Sequence, residues 1–184
     1  MPMTVLTAAL TLLYPLAIWF GHGHVEPRWL AGLLLLAVLT RLPSLKLGDR
    51  STAARWSVAG ALLLVACAIW SNLLLPLKLY PVLVNAVLLG GFGYSLRTPM
   101  SAVERMARLR GEDFAPPAQA YMRGVTRVWC GFFVLNGAIA LGTALWASAA
   151  VWSLYTGVIS YALMGLLFGV EYLVRLRFKR LHHV

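Results

Sequence analysis

Long apolar runs alternate with short breaks of turn-forming or charged residues, and the runs fall near residues 4–20, 29–45, 57–75, 79–96, 128–148 and 151–174. Each approaches the roughly 20 helical residues that cross a hydrocarbon layer about 30 Å thick. The pattern predicts an all-α fold: one polytopic membrane helix bundle over residues 1–184, with about six transmembrane helices and a loop at 97–127. In the second run only Trp29 to Thr40 is uninterrupted before Arg41 and Pro43, so a full crossing and a re-entrant or tilted segment both fit.

Composition agrees with the pattern. Hydrophobic residues make up 60% of the chain and charged residues 12%, against roughly 25% charge in soluble domains. The loops are too short to hold a separate catalytic domain. Cys67 and Cys130 lie inside apolar runs without the spacing of a metal site or a disulfide framework, so two buried, inert thiols are expected. Met1-Pro-Met-Thr has no cationic start, and no small-x-small cleavage site follows the first run, which predicts that residues 4–20 remain as a span.

Charge supplies an orientation. Of the 16 Lys and Arg residues, all but Arg28 and Lys78 fall in three blocks: Arg41 to Arg55, Arg97 to Arg127, and Arg175 to Arg180. The blocks occupy alternate gaps. Cytoplasmic loops keep Lys and Arg, so six crossings put the three blocks and both termini on the cytoplasmic side. The formal net charge of +10 borders hydrophobic spans, which points to anionic headgroups or an acidic partner and away from nucleic acid. Trp and Tyr give a second test, because they favour the headgroup level. Trp19, Trp29, Trp70, Tyr80, Trp146 and Trp152 fall at the predicted outer ends, and Trp56, Tyr94, Trp129 and Tyr172 at the inner ends.

Within the spans, Ser153, Gly157, Gly165 and Gly169, and likewise Gly90, Gly91 and Gly93, offer small surfaces for close helix approach. The few small residues around Ala147 to Ala150 require a tight antiparallel hairpin between the last two runs. Tyr14-Pro15 and Tyr80-Pro81 occupy corresponding places in two halves of three helices, as in an inverted repeat. Two prolines near helix ends explain them more simply.

The loop at 97–127 contains a short helix signal. Ser101 and Glu104 have capping-box spacing, Gly111 is a stop, and Pro116-Pro117 opposes immediate resumption. Met100, Val103, Met106 and Ala107 share one face, with Arg105 and Arg108 pointing away and Arg110 snorkelling, as in a helix lying in the membrane interface. Arg97, Arg105, Arg108, Arg110 and Arg123 are therefore the candidate lipid- or partner-binding residues; a solvated loop that only sets topology is the plainer alternative.

Asn85 and Asn136 lie near the middle of their runs, where an unpaired amide is costly, and Thr143, Tyr155, Thr156, Ser160 and Tyr161 are available partners. Asn85, Asn136, Tyr161 and Glu171 form the candidate intramembrane polar cluster, read either as a structural seam or as the wall of a small cavity. Glu171 is the one acid inside a run, and Arg175 four residues on offers it an ion pair. His22, His24 and Glu26 lack the support of a competent metal shell and are read as a hydrated loop, as are His182 and His183 at the tail. The chain has no His-x4-Asp pair, Gly-x-Ser-x-Gly elbow, His-Glu-x-x-His pair or Walker-type loop, so no catalytic residue, cofactor or metal is assigned.

The stretches LYPVLVNAVLLGGFGYSL from Leu79, PMSAVERMARLRG from Pro99, YMRGVTRVWCGFF from Tyr121, WSLYTG from Trp152 and EYLVR from Glu171 resemble an uncharacterised bacterial inner-membrane family. Its members are encoded near aryl polyene and fatty-acid-like biosynthesis genes. Trp129-x2-Phe132-Phe133 and the basic loop before it are also distantly similar to the intracellular septation protein A family. The first resemblance implies a non-catalytic accessory or scaffold in the bacterial inner membrane, serving synthesis or export of a lipid-linked product. Membrane lipids and an acidic acyl carrier protein are the partners that fit a basic cytoplasmic face. A lipid transporter or flippase with a midplane polar cavity, an integral-membrane transferase, and a cell-envelope or septation factor are the alternatives. If the cytoplasmic placement of 97–127 holds, an Ala115→Cys variant in intact cells will resist impermeant thiol reagents added outside; rapid labelling would reverse the assigned faces.

Overall fold

The computed structural model describes residues 31–32, 34–35, 52–71, 73–109 and 116–182. Residues 31–32 and 34–35 are helical. They are followed by α1 (Thr52–Ser71), α2 (Leu75–Lys78), α3 (Tyr80–Ser95), α4 (Ala102–Arg108), α5 (Pro116–Trp146), α6 (Ala149–Leu154), a π-helical turn (Tyr155–Ile159) and α7 (Ser160–His182). The described residues contain no strand, so the fold is all-α. Three helical stretches, Leu75–Ser95, Pro116–Trp146 and Ala149–Phe178, are long and apolar enough to cross a membrane. The apolar part of α1, Val58–Ser71, is shorter. The run at 4–20 and most of the run at 29–45 lie outside the described residues.

Proline sets where these helices begin. Pro76 and Pro81 each occupy the first turn of a helix, α2 and α3, where the missing N–H would have had no intrahelical partner. The same physics changes the reading of the loop at 97–127. Instead of blocking a helix, Pro116 and Pro117 open α5, which runs 31 residues to Trp146. At 1.5 Å per residue α5 is roughly 46 Å long, well beyond a hydrocarbon layer of about 30 Å. Measured from the exposed Trp146, a layer of that thickness would end roughly 20 residues back, near Arg127, and would leave the first turns of α5 beyond it.

Ala147 and Ser148 link α5 to α6 as a tight hairpin, with Ser148 Oγ accepting from Val151 N–H at 3.3 Å. Three layers then stack along the bundle. Away from the arginine-rich end, Ala31 and Leu34 pack with Ala61, Val65, Ala68, Leu77, Tyr80, Ala144 and Trp152, and Trp152 Nε1 donates to the Lys78 carbonyl at 3.2 Å. A polar layer at Asn85 and Asn136 follows. The third layer is aromatic: Phe92 meets Phe133 edge-on at 5.2 Å, and Trp129 lies 4.6 Å from Phe168. Pairing of residue 85 with 136 and of 92 with 133 makes α3 and α5 antiparallel neighbours.

Three expectations from composition are corrected by packing. Trp70, Trp146, Tyr94 and Tyr172 are exposed as a headgroup belt requires, but Tyr80, Trp129 and Trp152 are buried inside the bundle. Likewise Gly90, Gly91, Gly93, Gly165 and Gly169 face open space, whereas the close approaches are at Gly60, against Leu83, and at Gly137, against Asn85. Composition marks where a small residue is; only the neighbouring helix decides whether it is used. Cys67 is exposed on α1 rather than buried, and Cys130 is half-buried.

A Cβ built on Gly137 comes within 3.1 Å of Asn85 Cβ. Gly137→Leu is expected to cost about 1–3 kcal/mol by overpacking, read as a lowered unfolding midpoint in detergent. Gly165→Leu, with nothing within 4 Å, is expected to leave that midpoint within error; equal losses would contradict this packing.

Candidate functional site

The two buried amides, Asn85 and Asn136, form a hydrogen-bonded chain with Tyr155. Tyr155 Oη donates to Asn136 Oδ1 at 2.8 Å, Asn136 Nδ2 donates to Asn85 Oδ1 at 3.1 Å, and Asn85 Nδ2 donates to the Pro81 carbonyl at 2.8 Å. All three side chains are buried, so each bond replaces water that the interior does not supply. Gly137 leaves room for Asn85 beside Asn136. The π turn starts at Tyr155, and one extra residue in the turn changes which face follows it. In an uninterrupted α-helix the face of Tyr155 would continue through Val158, Ile159 and Ala162, all exposed; instead Ser160 is buried and Met164 and Leu167 are half-buried. Such turns recur at functional sites; here it lets one helix present both Tyr155 and its lower half to the bundle.

Of the other candidate members, Glu171 is elsewhere. The phenol that reaches Asn136 is that of Tyr155, and Tyr161 lies half-buried further along. Thr143 and Thr156 donate back to their own helices, to Ala140 at 3.0 Å and to Trp152 at 2.8 Å. Glu171 is 16 residues beyond Tyr155, roughly 24 Å along the helix at 1.5 Å per residue. Its Oε1 accepts from Arg175 Nε at 2.9 Å and Nη2 at 2.8 Å. Tyr121 Oη adds a contact at 3.4 Å to the same oxygen and 3.3 Å to the Glu171 carbonyl, while the Tyr121 ring stacks on Phe178 at 4.8 Å. The carboxylate thus braces the first turns of α5 against the end of α7 through Oε1.

The arginines divide into braces and surface. Arg123 sends its guanidinium into the end of α3, with Nη2 donating to the Leu96 carbonyl and, at 3.2 Å, to that of Thr98; Nη1 reaches Pro99 O at 3.4 Å. Those carbonyls follow the last turn of a helix, where a cation also complements the dipole. Arg108 pairs with buried Glu104, Nη2 to Oε1 at 3.2 Å. Arg97, Arg105 and Arg127 are exposed, and Arg110 lies outside the described residues. Both carboxylates among the described residues, Glu104 and Glu171, are paired with an arginine.

The start of α4 is sealed by hydroxyls. Ala102 N–H donates to Ser95 Oγ at 2.8 Å, Val103 N–H to Thr126 Oγ1 at 3.4 Å, and Glu104 N–H to Ser101 Oγ at 3.4 Å. Ser101 caps as its spacing predicts, but the buried face of α4 carries Ser101 and Glu104, while Met106 is exposed. Arg105 and Met106 are exposed together, while Met100, Val103 and Ala107 are half-buried, so the four apolar residues do not form one outward face; three hydroxyl contacts and an ion pair fix the rotation of α4.

No family model, curated protein or solved structure matches the chain.

Sequence reasoning missed Tyr121, Ser95 and Thr126, which carry three of the interhelical contacts. Their signal is weak, since a lone hydroxyl at the end of an apolar run or in a basic loop has many equivalent neighbours. His22, His24 and Glu26 lie outside the described residues, and the described residues hold no group of three metal-ligand side chains.

Tyr155→Phe removes one interhelical bond and is expected to cost about 0.6–1.7 kcal/mol. Arg123→Ala removes charge-assisted bonds to helix-end carbonyls, for an expected loss of about 1.5–3 kcal/mol. Denaturation in lipid bicelles checks both; a larger loss for Tyr155→Phe than for Arg123→Ala would invert the ranking.

Proposed function

We propose that this chain is a non-catalytic accessory or scaffold protein of a bacterial inner membrane, serving synthesis or export of a lipid-linked product, with an aryl polyene as the product class. In this reading six helices cross the bilayer, both termini are cytoplasmic, and the arginine-rich end faces the cytoplasm. One observation carries it. The polar groups of the apolar helices are engaged with one another through Asn85, Asn136 and Tyr155, while Arg97, Arg105 and Arg127 stand exposed at one end.

A scaffold needs that division of labour: an internally satisfied bundle that holds its shape, and a charged surface that recruits. A cluster of arginines concentrates acidic partners, such as an acyl carrier protein, by raising their local concentration and association rate. A transporter or flippase would instead need water or headgroups to reach Asn85 and Asn136. A transferase would need Glu171 free to take a proton, and that carboxylate is held by Arg175 and Tyr121.

Deletion followed by whole-cell lipid and pigment analysis tests the reading. Loss of a lipid-linked product, restored by the wild-type gene but not by an Arg97→Glu, Arg105→Glu variant of normal abundance, is expected. Unchanged lipids in the deletion strain would reject the biosynthetic role, and full rescue by the charge-reversed variant would reject the basic face as its working surface.

A further inference from the structure

We propose that the outward side of α4 is seated in the headgroup layer of an anionic phospholipid leaflet, with Met106 and Leu109 among the upper acyl chains and Arg105 on lipid phosphates. This deepens the scaffold reading by naming the molecule that covers one side of the arginine-rich end, and it rests on that reading's membrane placement.

The polarity of α4 is inverted for a helix facing water. Its protein side holds Ser101, Glu104 and the contact to Thr126, all buried. Its outward side holds Arg105, with Met106 51% and Leu109 84% exposed. In water the opposite rotation would hide two large apolar side chains and hydrate a carboxylate. That rotation is closed to it, because its first three N–H groups are capped by Ser95, Thr126 and Ser101 and Glu104 is paired with Arg108. The medium outside α4 must therefore accept both thioether and leucine surface and a guanidinium, as the boundary of a bilayer does.

Depth agrees independently. Val103 meets Thr126, which is next to the residue where a hydrocarbon layer measured down α5 from Trp146 ends, roughly 20 residues away. Helix α4 thus lies at the boundary itself. Arg97, Arg105 and Arg127 are exposed, and both described carboxylates are paired with arginine, so the described residues at this level carry a net positive charge that favours negative headgroups. A basic residue near an anionic surface contributes about fivefold in affinity.

The test uses the full-length protein with Cys67→Ser and Cys130→Ser, carrying a nitroxide at Met106→Cys, Leu109→Cys or Arg97→Cys, in nanodiscs of phosphatidylglycerol or phosphatidylcholine. Power saturation against oxygen and a water-soluble nickel chelate reads depth. Sites 106 and 109 are expected to collide with oxygen more than with nickel, and site 97 to show the reverse. Nickel-dominated collisions at 106 and 109 would place α4 in water and overturn the proposal; low collision with both reagents, in nanodiscs and in detergent, would mean that protein covers it, and would overturn it equally. Native mass spectrometry supplies the lipid class: wild-type protein is expected to retain phosphatidylglycerol over phosphatidylcholine, with about a fivefold loss of that preference in Arg105→Gln. An unchanged preference would remove Arg105 from the phosphate contact. None of these readouts depends on product synthesis, so their failure is separable from that of the scaffold role.

Discussion

A polar group placed among apolar helices has no water to fall back on, and that constraint organises this bundle. Asn85 and Asn136 satisfy each other, Tyr155 closes the open end, and the Pro81 carbonyl accepts the remaining amide. Three helical stretches are thereby tied at one level. Individually such bonds contribute modestly in membranes, but each fixes a rotation. Asn136 sets which face of α5 meets α3, and Tyr155 with its π turn sets which face of α7 follows. The aromatic layer of Phe92, Phe133, Trp129 and Phe168 then packs on helices whose registers are already chosen.

The two ends of the bundle differ because α5 is longer than a hydrocarbon layer is thick. Its first turns leave the apolar zone and meet the end of α7 through Tyr121, Phe178 and Glu171. At this end the protein spends its buried charges on structure: Arg123 closes α3, Arg108 holds Glu104, and Arg175 holds Glu171. Among the described residues, the charges left outside are cationic, including Arg97, Arg105 and Arg127.

Much of this was legible from residue order. The lengths of apolar runs located α1, α3, α5 and α7, the Ser101 to Glu104 spacing located a cap, and the i to i+4 placement of Glu171 and Arg175 located a pair. These are local properties, set by periodicity within a few turns. Pairings between helices were not legible. Arg123 reads as one more surface cation until α3 ends beside it, Gly165 reads like Gly137 until a neighbour is present at only one of them, and Trp129 reads as an interfacial anchor until Phe133 and Phe168 close over it. Hydrophobicity alone grouped Val103 and Ala107 with Met106, whereas contacts 7 and 23 residues away fix the rotation that leaves Met106 exposed and the other two half-buried.

Asn85, Asn136 and Tyr155 satisfy one another in the polar middle of the bundle, and we place the interaction chemistry at its arginine-rich end. Ala140 sits one turn from Asn136 on the buried face of α5, 1% exposed. In a background lacking the native thiols, an Ala140→Cys protein reconstituted in vesicles should resist small thiosulfonate reagents applied from either side over hours. Prompt modification from either side would reveal a water path to the midplane and contradict the account in favour of a transport pathway.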